Sequence, residues 1–180
     1  MSSLPLHPAL VHIPIGAALV APLAAAVVLA AIRRAALPRR TWWLVVALQA
    51  VVFLGGLAAA QAGDHEHHAV ERVVGRGPVH VHEERAEAFL WAAGATVAVA
   101  AAASAFPAAP LAFMVAATLA SATTAGLALY AGEAGGELVY ARGAARAFVP
   151  GSAPGPIAVE EGGERHRGHL RESTDAIDRR

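Results

Sequence analysis

Nine histidines, no cysteine and no lysine leave this 180-residue chain a narrow set of groups able to do chemistry. Seven of the histidines fall in two stretches. LHPALVHIPIG carries His7 and His12, and GDHEHHAVERVVGRGPVHVHEERAE carries His65, His67, His68, His80 and His82. Neutral imidazole ligates zinc, copper, iron and haem iron, and Glu71, Glu83 and Glu133 are carboxylates able to complete such a site. Without cysteine, the chain itself offers no disulfide, thiolate ligand or cysteine-held iron–sulfur cluster. No serine stands beside a base in a recognisable pattern, so hydrolytic or nucleophilic catalysis is not indicated. Whether the chain is an enzyme stays open, with membrane electron transfer the chemistry that histidine ligation would allow.

His7 and His12 are five residues apart, so on one continuous helix their side chains point about 140° apart at ~100° per residue. They do not form a matched pair on one face. Pro8 favours an extended His7 and suits the first turn of a helix. His7 is then either a cap over helix-end or loop carbonyls or a ligand, while His12, set among apolar residues, is expected to point inward. Further on, Pro78 marks a helix start, and Glu83, Glu84 and Glu87 suit the positive end of its dipole. His82 shares an apolar stripe with Ala86 and Phe89 and is expected to face the other helices. His80 is expected in solvent, and the crowded His65, His67 and His68 are second-choice ligands for a soft cation.

The elements that must position these side chains are membrane helices. The chain is 56% hydrophobic with a mean hydropathy of +0.48, too apolar for an ordinary soluble domain. Residues 88–132 contain no Asp, Glu, Lys or Arg, a run of forty-five. At about 20 residues per crossing, that is two spans joined at FPAAP, and uncharged runs at 13–32 and 42–62 supply two more. The expected fold is an all-α integral membrane protein, a four-transmembrane-helix bundle over residues 1–148. Its spans are expected at about 9–32, 42–62, 83–105 and 110–132. MSSLPL lacks a positive n-region, so the first segment reads as a retained helix and not a signal peptide.

RRAALPRR places Arg33, Arg34, Arg39 and Arg40 between the first two spans with no acid, a cluster expected on the cytoplasmic side. Both termini and the loop between spans two and three are then outside, in a multi-pass protein of a bacterial cytoplasmic (inner) membrane. The formal net charge is +0 with no basic block, so the implied partner is lipid and not nucleic acid. Residues 149–180 change to PGSAPGP and a polar stretch, expected as a flexible, disordered tail. Gly16, Gly55, Gly56, Gly94 and Gly126 read as close helix contacts, or alternatively as room for a flat cofactor. Thr118, Ser121, Thr123 and Thr124 are expected to bond back to helix carbonyls.

HPALVHIPIG, the Ala62–Gly63 pair followed by AVE, HEERAE at 82–87 and GGELVYARG at 135–143 together resemble the bacterial four-helix membrane proteins catalogued as domain of unknown function 2231. The likeness covers roughly residues 4–148. It implies a four-helix membrane domain without a settled activity, and fusions of some relatives to Rieske domains suggest membrane redox chemistry. HEHH at 65–68 departs from the acidic segment of the relatives, so those histidines inherit no role.

Three functional readings stand on the sequence. In the first, a b-type haem near the outer face is held by His12 and His82, with His7 as alternative ligand. Arg85 and Arg142 would then meet its propionates, and a partner protein would exchange its electrons. In the second, His7, His12 and His82 hold one transition-metal ion with Glu71, Glu83 or Glu133. In the third, no cofactor is bound and the protein is a membrane subunit or scaffold, with GGELVY ending the last helix.

Overall fold

The computed structural model describes residues 7–106 and 110–149. Four long helices dominate: α1 (His7–Arg33), α2 (Arg39–Val74), α3 (Arg76–Ala105) and α4 (Pro110–Ala141), each long and apolar enough to cross a membrane. No strand occurs among the described residues. Alanine, the best helix former, supplies much of each helix and lets the backbones come close. α1 packs against α2 and α4, and α3 packs against the same two, so the helices form a closed up-and-down ring.

The interior is built in layers. Toward the end bearing Arg33, Arg34, Arg39 and Arg40, Ala25, Trp42, Val45, Ala100 and Met114 pack together. There the Trp42 indole N–H donates to Ala100 O at 3.0 Å. Toward the opposite, histidine-bearing end, Ala18, Val52, Phe89, Ala93 and Ala128 form a second layer. The polar residues Gln49, Thr96, Ser121 and Thr124 are buried in the bundle, each 1% exposed. Gln49 donates to Ser121 Oγ, and the Thr96 and Thr124 hydroxyls meet at 3.0 Å. Thr118, Thr123 and Thr124 also bond back to carbonyls four residues earlier.

The outer surface is the reverse. Leu23, Leu44, Leu119 and Trp91 are 66–75% exposed. Large apolar side chains thus cover the outside of four span-length helices, while the interior is filled mainly by small apolar residues with four polar ones among them.

The segment expected as a loop between spans two and three is helical. α2 continues to Val74 and α3 begins at Arg76, with Gly75 alone between them at φ +83°. At 1.5 Å per residue the 36 residues of α2 reach about 54 Å, well past a hydrocarbon core of ~30 Å. Charge is no obstacle to helix outside that core. Val70 and Val74, one turn apart, pack with Val79, Leu138 and Ala144 and so give the extension an apolar face of its own.

The sequence GGELVY does not stop α4 at its glycines. The helix widens into a π turn over Glu137–Ala141, where the Arg142 N–H reaches Glu137 O at 3.1 Å, and the chain turns at Gly143 with φ +70°. The centre of the FPAAP turn and the polar tail beyond Val149 lie outside the described residues.

Candidate metal centre

His7 opens α1, where the Glu66 carboxylate accepts its backbone N–H at 3.3 Å. A carboxylate suits this end of a helix, where N–H groups are unpaired and the dipole is positive. The His7 ring leans onto α2. Its Nδ1 stands 2.7 Å from Ala59 O, and a Cβ added at Gly63 would come within 3.1 Å of that same Nδ1. His82, in α3, makes the corresponding contact with α4. Its Nδ1 stands 3.2 Å from Ala131 O, and a Cβ added at Gly135 would be 3.2 Å from its Cε1.

Each imidazole therefore lies over a glycine and reaches the carbonyl four residues before that glycine. In a helix those two positions share one face, and only a residue without a side chain leaves the carbonyl open to a ring from the neighbouring helix. The local sequences repeat accordingly: AAQAG at 59–63 and AGEAG at 131–135. The two helical hairpins, α1–α2 and α3–α4, thus carry the same histidine-on-glycine device.

The two devices face each other, with the His7 and His82 ring centroids 5.9 Å apart and their planes at 82°. A carbonyl oxygen only accepts, so Nδ1 is the protonated nitrogen of each neutral ring and Nε2 keeps its lone pair. This is the tautomer that histidine ligands of metals adopt, with the remote N–H tied to a carbonyl. Two imidazoles on one ion through bonds of ~2.0–2.1 Å have centroids no more than about 6.5 Å apart, and the observed separation falls inside that limit.

The other candidates are placed elsewhere. His12 is exposed, and the histidine that meets His82 is His7. Arg85 clamps α3 to α4: it donates to Tyr130 O at 3.2 Å, lies 3.7 Å over the Tyr130 ring and is 3.6 Å from Glu133. Arg142 pairs with Glu137 at 2.7 Å. Glu71 pairs with Arg76 at 2.6 Å, and Glu83 lies 2.5 Å from His67 Nδ1. His80 is largely exposed beside Glu83 and Glu84, and His65 bonds back to Gln61 O at 2.7 Å.

Gly63, Gly135, Ala59 and Ala131 are parts of the site that reading residue by residue for donors passes over. The signal available for them was the AxxAG repeat spaced from a histidine in each hairpin.

Comparison of the chain with protein-family models, with curated proteins and with solved structures gives no match.

Proposed function

We propose that this is a multi-pass membrane protein that holds one transition-metal ion between His7 and His82, through Nε2 of each ring, at one end of a four-helix bundle. The observation that carries the reading is the paired geometry: two half-buried imidazoles, each with Nδ1 on a helix carbonyl, at a 5.9 Å centroid separation. Neutral imidazole is a ligand for zinc, copper, iron and nickel, and a bound ion would supply Lewis-acid or one-electron chemistry according to its identity. The protein's contribution is to fix both tautomers and ring orientations before any ion arrives.

The apolar outer surface supports membrane insertion, and the arginine cluster favours the cytoplasmic side of a bacterial inner membrane for the end opposite the histidines. The resemblance to domain of unknown function 2231 belongs to the same proposal. HPALVHIPIG supplies His7, Ala62–Gly63 supplies the glycine beneath it, HEERAE supplies His82, and GGELVYARG supplies Gly135.

A bare ion is favoured over haem by how the glycine clefts are filled. A Cβ at Gly55 would touch Pro14, one at Gly56 would meet Phe89, and one at Gly94 would meet Phe53, while the imidazoles occupy the space over Gly63 and Gly135. Arg85 and Arg142, the cations a haem's propionates would need, are already paired with carboxylates.

The test is elemental analysis, with oxidised and dithionite-reduced spectra, of protein purified in detergent from cells supplied with metals and haem. The expected result is transition metal without a Soret band, one equivalent of which is lost in both His7→Ala and His82→Ala. Metal content unchanged in both variants would overturn the reading, and a Soret band lost in them would replace the ion by haem.

A further inference from the structure

Beyond the histidine pair, α2 carries a second set of donors facing α3. His67, His68 and Glu71 each offer one ligand atom, all within 4.8 Å of one another. The spacings i,i+4 and i,i+3 bring His67 and His68 onto the same helix face as Glu71. Glu71 divides its oxygens: Oε1 accepts from Arg76 Nε at 2.6 Å, whereas Oε2 faces His67 Nε2 at 3.5 Å and His68 Nδ1 at 3.9 Å.

From α3, Glu83 Oε1 lies 2.5 Å from His67 Nδ1. A carboxylate accepts, so this contact holds His67 as its Nδ1–H tautomer and turns the Nε2 lone pair toward Glu71, the carboxylate–histidine arrangement of metal ligands. His67, His68, Glu71, His80 and Glu83 line one open cleft of about 560 Å³.

We infer that this cleft is a second cation site, which captures a divalent transition-metal ion from the aqueous side and passes it to His7 and His82. The passing step rests on the reading of that pair as a metal site. Two imidazoles and a carboxylate match the ligands that bind zinc, cobalt or nickel. Arg76 offsets part of the carboxylate charge and His68 is 91% exposed, so the site suits capture and release more than retention.

The two sites adjoin along one helix. His67 to Glu71 follow Gly63, which seats His7, by four to eight residues, or about 6–12 Å at 1.5 Å per residue. Glu66, next to His67, accepts the backbone N–H of His7. Transfer exchanges metal–oxygen and metal–nitrogen bonds for metal–nitrogen bonds. No electron moves, and any proton on an incoming imidazole leaves to solvent.

The test is titration of the full chain in detergent with Co2+, following its ligand-field absorption and the time course of loading. Wild type is expected to take two equivalents. His67→Ala/His68→Ala and Glu71→Gln are each expected to lose one equivalent and to load the other about ten-fold more slowly, the size of a lost ligand or supporting contact. His7→Ala/His82→Ala is expected to keep one equivalent.

Two equivalents bound at the wild-type rate by His67→Ala/His68→Ala would overturn the inference. So would one equivalent in wild type and in His67→Ala/His68→Ala with none in His7→Ala/His82→Ala, a result that leaves the inner pair standing. One equivalent in wild type and in His7→Ala/His82→Ala, with none in His67→Ala/His68→Ala, would support capture and overturn both transfer and the inner site. Far-ultraviolet circular dichroism confirms that each variant keeps its helices.

Discussion

The imidazole of His7 stands over Gly63 with Nδ1 2.7 Å from Ala59 O, and that of His82 stands over Gly135 with Nδ1 3.2 Å from Ala131 O. The same contact made from two hairpins brings two side chains far apart in sequence to a 5.9 Å centroid separation, each ring oriented by a backbone carbonyl and not by a flexible partner.

Gly63→Ala and Gly135→Ala test that orientation. An added Cβ would lie 3.1 Å from His7 Nδ1 or 3.2 Å from His82 Cε1, so each ring must shift by a few tenths of an ångström against its carbonyl. Each substitution is expected to weaken metal binding at the pair by about ten-fold, in the range for loss of a supporting hydrogen bond. Gly126→Ala, where an added Cβ meets nothing within 4 Å, is expected to change affinity little. Competition titration against a chromogenic chelator reads both, and equal affinities in all three variants would remove the glycines from the site.

The buried amide of Gln49 makes a second prediction. Ser121→Ala removes the partner of its Nε2 and is expected to destabilise the protein by about 1 kcal/mol, as for hydrogen bonds between membrane helices. Gln49→Leu/Ser121→Ala, which removes the polar pair together, is expected to recover most of that loss. Unfolding in sodium dodecyl sulfate titrated into mild detergent measures both.

The four helices were legible in the sequence because each coincides with an uncharged run long enough to cross a membrane. The site was legible in kind and less so in identity. His12 was expected inward because its neighbours are apolar, but where a whole helix is apolar its neighbours carry no information about which face is buried, and His12 is exposed. His7 was left between cap and ligand, and the carbonyl its Nδ1 meets, Ala59 O, lies inside α2 and not at a helix end or in a loop. The stretch 63–77 read as loop because it is polar, although Val70 and Val74, one turn apart, carry the spacing of a helix face and pack with Val79 of the next helix. Gln49 is uncharged and leaves its span-length run unbroken, so nothing in the sequence marks its buried bond to Ser121.

Ala35 adopts φ +56° just past the end of α1, where the Ala36 and Leu37 N–H groups return to Ala31 O. That left-handed position is the one glycine occupies at helix ends. Ala35→Gly is expected to stabilise the protein by about 1 kcal/mol, the cost an L side chain bears there. The same detergent unfolding assay checks it, and destabilisation would contradict the strain.

The absence of cysteine makes topology directly measurable. A cysteine at Ala36, in the arginine-flanked turn, is expected to resist a membrane-impermeant maleimide in intact spheroplasts and to react after lysis. One at Asp64, toward the histidine end, is expected to react in both. The reverse pattern would place the histidines on the cytoplasmic side.

The most direct measurement of the central claim is X-ray absorption at the metal edge of His67→Ala/His68→Ala protein loaded with one equivalent of Zn2+, compared with the same protein also carrying His82→Ala. The account predicts two imidazole ligands at ~2.0–2.1 Å in the first, shown by multiple scattering from the outer ring atoms, and loss of one or of the bound metal in the second. Spectra identical with and without His82, or a first shell lacking imidazole, would contradict it.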